Sequence, residues 1–237
     1  MIKATNLTKN YGEQRAVDIQ ELIIPDGTIL GLVGNNGAGK TTLFRLLLDL
    51  IKATDGEVGL SKSDDCELMN PAQCEDWKHF VGAYVNEGFL IDFLSPEEYF
   101  LFVGKVNDIP EETVKTTIEQ YTEFLTDEII GAGKLIRDLS AGNRQKVGIV
   151  SALLAQPKIV ILDEPFNFLD PSSQNKLKKL IIDYHEKTGA TLLISSHNLT
   201  HTVDISTHVA LMEKGKIISF IDNIDGAANK QLDEYFS

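Results

Sequence analysis

The residues best suited to chemistry stand close together near the start of the chain. Positions 34–42 read Gly-Asn-Asn-Gly-Ala-Gly-Lys-Thr-Thr and fit the pattern Gly-x4-Gly-Lys-[Ser/Thr]. An apolar, strand-like stretch (28–33) precedes them, and a helix-like stretch (43–50) follows them. Glycines let the backbone turn its N–H groups onto phosphate oxygens, and the helix N-terminus adds a partial positive charge. This order predicts a phosphate-binding loop, and it argues against an ordinary glycine turn before a helix.

The loop predicts the binding of a nucleoside triphosphate together with Mg²⁺. The Lys40 ammonium supplies a point charge to the terminal phosphates, and one charge pair at ~4 Å is worth ~4 kcal/mol near a surface. The Thr41 hydroxyl is a ligand for Mg²⁺. The residues expected to bind the nucleotide are Gly34, Asn35, Asn36, Gly37, Ala38, Gly39, Lys40, Thr41 and Thr42.

A second candidate stands where an apolar run ends in two carboxylates. Residues 159–165 read Ile-Val-Ile-Leu-Asp-Glu-Pro, as expected of a buried parallel strand and its exit. Asp163 can hold Mg²⁺ through water, and Glu164 can polarise an attacking water. The alternative is that these residues only end a strand, and the phosphate-binding loop makes that alternative the weaker one.

The segment Leu139-Ser140-Ala141-Gly142-Asn143 lies one helix before that strand. A serine and a glycine amide at a helix N-terminus form an anion site, although alone they are no more than an N-cap. In this order the motifs resemble those of the nucleotide-binding subunits of ATP-binding cassette (ABC) transporters, from about residue 2 to 220. The commonest form of this segment in the family is Leu-Ser-Gly-Gly-Gln, from which Ala141 and Asn143 depart.

The resemblance implies a head-to-tail dimer, expected to be a homodimer, with two ATP molecules at its interface. Each ATP lies on one subunit's phosphate-binding loop and contacts Ser140 and Gly142 of the other subunit. The family's membrane-spanning permease is a separate chain. The reaction implied is Mg²⁺-dependent ATP hydrolysis.

Other positions follow from the resemblance one by one. Tyr11 matches an aromatic residue that stacks on adenine, and His197 matches a histidine that contacts the γ-phosphate. Asp170 matches the end of a loop at the dimer interface, or it only caps the next helix. Asn86 takes the place of the family's glutamine near Mg²⁺, and the neighbouring Glu87 is an alternative hard-cation ligand.

Hydrophobic periodicity predicts an α/β fold with a parallel sheet. The expected architecture is a P-loop NTPase core with an N-terminal antiparallel β subdomain and an inserted α-helical subdomain. We predict a single ABC ATPase domain over 1–237, in which 1–87 and 141–237 form the core and β subdomain and about 88–140 form the helical subdomain. Predicted elements are strands within 2–33 and at 56–60, 158–162 and 190–195, helices at 40–51, 96–128 (broken at 108–110), 141–156 and 171–187, and a hairpin at 208–220.

Composition limits the possible partners. The net charge is −13, which argues against nucleic-acid binding and against direct contact with anionic lipid. The start of the chain lacks the apolar region of a signal peptide, and the longest apolar run, 147–155, is too short to cross a bilayer. Cys66 and Cys74 fit no metal or redox spacing. We expect a cytoplasmic protein, peripheral at the inner face of the membrane and held there by its permease.

Residues 89–103 are unusually apolar and include five aromatic side chains. Part of this segment must pack the core of the helical subdomain. The remainder predicts an apolar groove, with Glu97 and Glu98 on its rim, for a basic-apolar helix of the membrane subunit.

The sequence favours the ATPase subunit of a membrane transporter, and the compact single cassette resembles the exporter type. The alternative is a soluble ABC ATPase of an assembly system such as iron–sulfur cluster biogenesis. A P-loop kinase is a more distant alternative, against which the Ser140 segment, Asp163-Glu164 and His197 argue together.

Overall fold

The computed structural model describes residues 1–197 and 199–223, so residues 198 and 224–237 of the predicted domain lie outside the described part. The strands are β1 (Ile2–Tyr11), β2 (Gln14–Ile24), β3 (Ile29–Val33), β4 (Asp55–Leu60), β5 (Val81–Tyr84), β6 (Ile159–Leu162), β7 (Thr191–Ser196), β8 (His208–Glu213) and β9 (Lys216–Asp222). The α-helices are α1 (Lys40–Leu47), α2 (Pro96–Val106), α3 (Glu111–Glu119), α4 (Thr122–Leu125), α5 (Ala141–Leu153), α6 (Pro171–Thr188) and α7 (Leu199–Val203). Short 3₁₀ turns are Asp76–His79, Glu87–Phe89 and Ile136–Asp138.

Two sheets form the framework. The N-terminal sheet has the order β2-β1-β4 and is antiparallel. The larger sheet has the order β5-β6-β7-β3-β8-β9 and is parallel except for the last strand. Strands β3, β6 and β7 are buried along their whole length, which explains why none of them alternates apolar and polar residues; β7 carries buried polar residues only at its two ends.

Strand register brings the predicted site residues to one edge of the large sheet. Val33 pairs with Ser196 at the end of β3 and β7, and Tyr84 pairs with Leu162 at the end of β5 and β6. All four strands are parallel, so the loops after them leave from the same edge. This edge carries the phosphate-binding loop, the Asp163-Glu164 pair and His197.

The helical subdomain begins with a capping box at α2. Ser95 Oγ accepts a hydrogen bond from Glu98 N at 3.2 Å, and Glu98 Oε2 accepts one from Ser95 N at 2.8 Å. The predicted break between α2 and α3 contains Asp108, whose φ is +54°, followed closely by a proline. Fully buried Phe100 and Leu125 join this subdomain to the core around α5 and α6.

Some helices end earlier than the sequence predicted. Helix α1 ends at Leu47 rather than at 51, because Asp49 takes a φ of +50° and the Leu50 N–H bonds back to the Arg45 carbonyl. Helix α5 ends at Leu153 rather than at 156. Within the described residues, no helix is long and apolar enough to cross a membrane.

The turn between β8 and β9 supports the phosphate-binding loop. Gly215 N donates to the Ala38 carbonyl at 2.8 Å, and Asp18 N donates to the Gly215 carbonyl at 2.8 Å. At Gly39, φ is +110° and a Cβ atom would lie 2.4 Å from the Ala16 carbonyl oxygen. Only glycine fits this close approach between the loop and β2.

Candidate active site

The phosphate-binding loop borders an open cavity of about 430 Å³. The residues that line it are Tyr11, Gln14, Ala16, Asn36, Gly37, Ala38, Gly39, Lys40, Thr41, Thr42, Glu164, Asn167 and His197. Tyr11 is 50% exposed, with the Lys9 ammonium 5.2 Å from its ring centroid. Gly34 and Asn35 do not line the cavity and instead shape the loop through their carbonyl groups. The arrangement offers an aromatic face at one end and a cradle of backbone amides at the other.

Lys40 is buried and held by two kinds of acceptor. Its Nζ donates to the Gly34 carbonyl at 2.6 Å and lies 3.3 Å from Glu164 Oε1. The Asn35 carbonyl is a more distant acceptor at 3.5 Å. The loop therefore keeps the ammonium beside the cavity, and a phosphate oxygen that takes this charge must compete with Glu164.

Asp163 lies at the centre of a polar network just after β6. Thr41 Oγ1 donates to its Oδ2 at 2.6 Å, and Ser195 Oγ donates to its Oδ1. Burial raises the pKa of Asp163, and the neighbouring Glu164 charge adds to the rise; the two hydroxyls and Lys40 oppose it. Two hydroxyl side chains are thus gathered around one carboxylate, and oxygen groups of this kind are the ligands that a hard cation requires.

Glu164 connects the lysine to the histidine. While Oε1 faces Lys40, Oε2 accepts a hydrogen bond from His197 N at 3.2 Å and lies 2.8 Å from His197 Nδ1. The Glu164 backbone has a φ of +47°, a conformation that costs about 1–3 kcal/mol in a residue other than glycine. Its N–H is held by Ser195 Oγ at 2.8 Å, which helps to fix this conformation.

Asn86 lies at a second, adjoining cavity of about 310 Å³. This cavity is also lined by Thr41 and Asp163, so the three predicted metal ligands share one space. Asn86 Oδ1 accepts a hydrogen bond from Gly88 N at 2.8 Å. The Glu87 carboxylate also borders the cavity, but it is ion-paired with Arg144 at 2.6 Å.

Ser140 and Gly142 do not line the cavity of the phosphate-binding loop. Ser140 is exposed and caps α5, with its Oγ accepting a hydrogen bond from Asn143 N at 3.2 Å. Gly142 packs against the loop after β6: a Cβ atom there would lie 2.6 Å from the Phe168 carbonyl oxygen. Within one chain, these residues therefore belong to a different surface from Lys40.

Asp170 caps helix α6, one of the two roles that the sequence left open for it. Its Oδ1 accepts hydrogen bonds from Ser172 N at 2.9 Å and Ser173 N at 3.0 Å. Two residues before it, Phe168 is 75% exposed and has a φ of +59°. An exposed aromatic side chain on a strained loop is typical of an interaction surface.

The predicted docking segment borders an apolar cavity of about 350 Å³, to which Phe89, Leu90 and Tyr99 contribute. The expected acidic rim is wrong. Glu98 is used in the capping box of α2, and Glu97 Oε1 accepts a hydrogen bond from Gly131 N at 2.6 Å. The acidic groups that line this cavity are instead Asp49 and Glu75.

Sequence reasoning missed two residues of the site, Ser195 and Gln145. Ser195 joins Asp163 to the Glu164 backbone, and Gln145 donates to the carbonyl groups of Glu164 and Pro165. A polar residue at the end of an otherwise apolar strand was the signal for Ser195. Gln145 is buried on α5, and a polar side chain in a mostly apolar helix face was its signal.

Comparison with known proteins identifies the family. The family model described as ABC transporter matches residues 17–167. The bacitracin transport ATP-binding protein BcrA of Bacillus licheniformis is 34% identical over 228 residues, covering 93% of this chain and 69% of that protein. The lipopolysaccharide export system ATP-binding protein LptB of Haemophilus influenzae is 32% identical over 224 residues, covering 92% of this chain and 89% of that protein. The methionine import ATP-binding protein MetN of Carboxydothermus hydrogenoformans is 31% identical over 226 residues, covering 92% of this chain and 65% of that protein.

A solved structure of an ABC transporter cassette has the same fold as this chain. A dimeric bacterial ABC transporter cassette superposes with a TM-score of 0.82 at 23% identity, covering 94% of this chain and 98% of that one. The likeness confirms the predicted fold class, a P-loop NTPase core with an N-terminal antiparallel β subdomain and an inserted α-helical subdomain. The chain therefore belongs to the ABC transporter family and is the ATP-hydrolysing cassette of a transporter.

Proposed function

We propose that the chain hydrolyses Mg²⁺-bound ATP at the cavity between Tyr11 and His197, and that ATP-driven dimerisation powers a membrane transporter of the exporter type. The observation that carries this proposal is the meeting of Lys40, Thr41-Asp163 and Glu164-His197 at one sheet edge. The phosphates lie in the amide cradle of residues 36–42, and the adenine stacks on Tyr11. Each group then has one task in the reaction.

The donor set fits a magnesium ion. Thr41, Asp163 and Asn86 all offer oxygen ligands to one cavity, and Asp163 and Thr41 are already within hydrogen-bond distance. When bound, Mg²⁺ supplies positive charge that offsets the charge of the phosphates. Ser195 holds the second carboxylate oxygen of Asp163 and so fixes the direction in which the first one faces.

Glu164 is the group that orients the attacking water. Its carboxylate lies between the Lys40 ammonium and the His197 ring, at the end of the cavity where a γ-phosphate would lie. When Lys40 moves to the phosphate, one carboxylate oxygen becomes available to accept a proton from water. His197 holds the other oxygen through its backbone N–H and its ring, and so keeps Glu164 in place beside the γ-phosphate. Positioning and electrostatics carry most of the catalysis in such reactions.

A second copy of the chain completes the site. Ser140 is exposed at the N-terminus of α5, where a hydroxyl and backbone amides form an anion site, and it does not line its own chain's ATP cavity. In the proposed head-to-tail homodimer, Ser140 and Gly142 contact the γ-phosphate bound by the partner.

Glu164→Gln tests the dimer proposal. The variant retains the hydrogen-bonding shape but loses the base, so ATP should accumulate unhydrolysed and hold two chains together. Size-exclusion chromatography with light scattering should show a dimer with Mg²⁺-ATP and a monomer with Mg²⁺-ADP. The matched control is Glu164→Gln combined with Ser140→Arg, which should stay monomeric. A Glu164→Gln chain that remains monomeric at saturating ATP would contradict the proposal.

The transporter partner is proposed to dock on the apolar cavity at Phe89, Leu90 and Tyr99. Phe89, which lines the cavity, and Phe93, four residues further along the chain, are both more than half exposed, which supports a protein-binding surface. Asp49 and Glu75 on its lining favour a short apolar helix with a basic residue. The permease would hold this cassette at the cytoplasmic face of the membrane. The relative named for lipopolysaccharide export supports the exporter type, although a relative named for methionine import is nearly as similar.

Affinity capture from gently solubilised membranes of the source cells tests the partner. A membrane protein with several spans, recovered at roughly equal stoichiometry, is the expected result. Phe89→Ser with Phe93→Ser should abolish this recovery, whereas Phe220→Ser, which changes a similarly exposed aromatic on the distant strand β9, should not. Recovery of a soluble scaffold protein instead would favour the assembly-system alternative.

A further inference from the structure

Two neighbouring side chains in the first turns of α5 bond to loops from different strands. Arg144 Nε donates to Glu87 Oε2 at 2.6 Å, in the turn after β5. Gln145 Nε2 donates to the carbonyl of Glu164 at 3.4 Å and to that of Pro165, in the loop after β6. The start of α5 is thereby tied to both loops that border the proposed metal cavity.

The same Arg144 also holds the residue just before Ser140. Its Nη1 donates to the Leu139 carbonyl at 2.7 Å, and its backbone N–H donates to the Ser140 carbonyl at 2.9 Å. A guanidinium is planar and rigid, so it keeps its two acceptors in a fixed relation to each other. A shift of Glu87 is therefore transmitted through one rigid group to Leu139.

Glu87 connects Arg144 to the proposed metal cavity. Glu87 follows Asn86 directly, and Asn86 lines the cavity of Thr41 and Asp163. The two residues also share a turn, because Asn86 Oδ1 caps the 3₁₀ turn in which Glu87 is the first residue. A ligand that moves Asn86 in that cavity would therefore also move the next residue, Glu87, and with it the ion pair to Arg144.

We propose that Arg144 is a positioning residue which, through Glu87 and the Leu139 carbonyl, sets the place of Ser140 and Gly142 according to the state of Asn86. The inference rests on the proposed function, because it assumes that Ser140 acts on ATP bound by a partner. It also assigns Glu87 to this clamp rather than to the metal.

Hydrogen–deuterium exchange of the peptide 139–144 tests the clamp on the full chain without added nucleotide. Glu87→Gln removes the ion pair but leaves the Arg144–Leu139 bond, so exchange should rise about three- to fivefold, the scale of a partly exposed ion pair. Arg144→Gln removes both bonds and should raise exchange further. Because Glu87 acts on this peptide only through Arg144, the double variant Glu87→Gln/Arg144→Gln should show the same exchange rate as Arg144→Gln alone.

The control is Lys115→Gln, which breaks a surface pair of similar length, Lys115–Glu111 at 2.7 Å on α3. It should leave exchange of the peptide 139–144 unchanged. Unchanged exchange in Glu87→Gln, or a double variant in which the two single effects multiply, would overturn the clamp.

Steady-state ATP hydrolysis provides the functional readout. Arg144→Gln should lower kcat about tenfold and change KM less than twofold, because the variant's own phosphate-binding loop is intact. Arg144→Lys keeps the charge toward Glu87 but not the planar fork, so it should recover part of kcat. A loss that appears only in KM would overturn the positioning role. If the wild-type chain itself neither turns over ATP nor dimerises with it, the proposed function fails, while the exchange experiment still decides whether the clamp exists.

Discussion

Asp163→Asn should make the protein more stable while abolishing its magnesium-dependent activity. The carboxylate is buried, and burial raises its pKa from the ordinary value of 3.8 despite hydrogen bonds from Thr41 and Ser195 and the nearby Lys40 charge. A raised pKa means that the desolvation penalty of the charged carboxylate is larger than the stabilisation it gains from its hydrogen bonds and from Lys40. Replacing the carboxylate with a neutral amide removes that penalty, and the asparagine oxygen can still accept a hydrogen bond from Thr41.

The expected magnitude follows from the balance of these terms. A hydrogen bond to a charged group is worth ~1.5–3 kcal/mol and one to a neutral group ~0.5–1.5 kcal/mol, so the substitution weakens the two hydroxyl contacts of Asp163 by about 2–3 kcal/mol in all. The relieved desolvation penalty is several kcal/mol for a buried ion. The net gain should be about 1 kcal/mol, or a rise in Tm of about 2–4 °C for a domain of this size.

The pH dependence has a definite sign. Because the pKa of Asp163 is raised in the folded state, its contribution to stability is fully present below pH 3.8 and is lost as pH rises through the folded-state pKa. The asparagine that replaces it in the variant does not titrate. The advantage of the variant should therefore be absent in acid, grow as pH rises through that pKa, and stay constant above it.

Calorimetry or thermal fluorescence from acid to neutral pH measures the stability difference, and ATP turnover with and without Mg²⁺ measures the activity. Ser195→Ala is the matched control, because it removes a hydroxyl that stabilises the charged form and should lower stability at neutral pH. A lower Tm for Asp163→Asn at neutral pH would refute the reasoning, since Asp163 would then be a structural anchor rather than a residue kept for its charge.

Three further predictions concern separate parts of the site. Tyr11→Ala should weaken ADP binding by about 1–3 kcal/mol in isothermal titration, because the stacking face is lost, and leave the binding of inorganic tripolyphosphate unchanged. Equal losses for both ligands would contradict the stacking role. Gly142→Ala should keep ADP affinity but lower ATP turnover at least ~10-fold, because its Cβ would lie 2.6 Å from the Phe168 carbonyl oxygen and displace the loop. Turnover at the wild-type rate would show that the loop is not needed in this position. His197→Ala should lower kcat about 10²–10³-fold with little change in ADP affinity, because Glu164 loses the partner of its second oxygen. A loss of less than twofold would rule out this role.

Local motifs predicted the parts of the site that lie within one loop. The glycine pattern, Lys40 and Thr41 are determined by a strand, turn and helix that are contiguous in sequence. The fully apolar run of β6 likewise predicted a buried strand with carboxylates at its exit. In both places, one hydrophobic pattern and one change of residue type are enough to place these side chains at the end of a strand or the start of a helix, because the local elements are contiguous in sequence.

Contacts between segments far apart in the chain could not be predicted from the sequence. The hydroxyl of Ser195 reaches Asp163 only because β7 pairs with β6 in one particular register. Glu97 and Glu98 looked like a charged rim because they are acids beside an apolar run. Both are instead used as acceptors for backbone N–H groups, which the sequence does not distinguish from a solvated face.

In the proposed mechanism, the contacts of Lys40 link ATP binding to catalysis. The lysine and Glu164 are 3.3 Å apart and both are largely buried, so their Coulomb attraction is about 5 kcal/mol at an effective dielectric constant of ~20, before desolvation is counted. A phosphate that takes Lys40 must replace this attraction with its own charge, and a triphosphate does so better than a diphosphate. In the proposed mechanism, the same exchange releases the Glu164 carboxylate, which then orients water. ATP binding would therefore both hold the substrate and free the proposed base, so that the energy of binding prepares the chemical step.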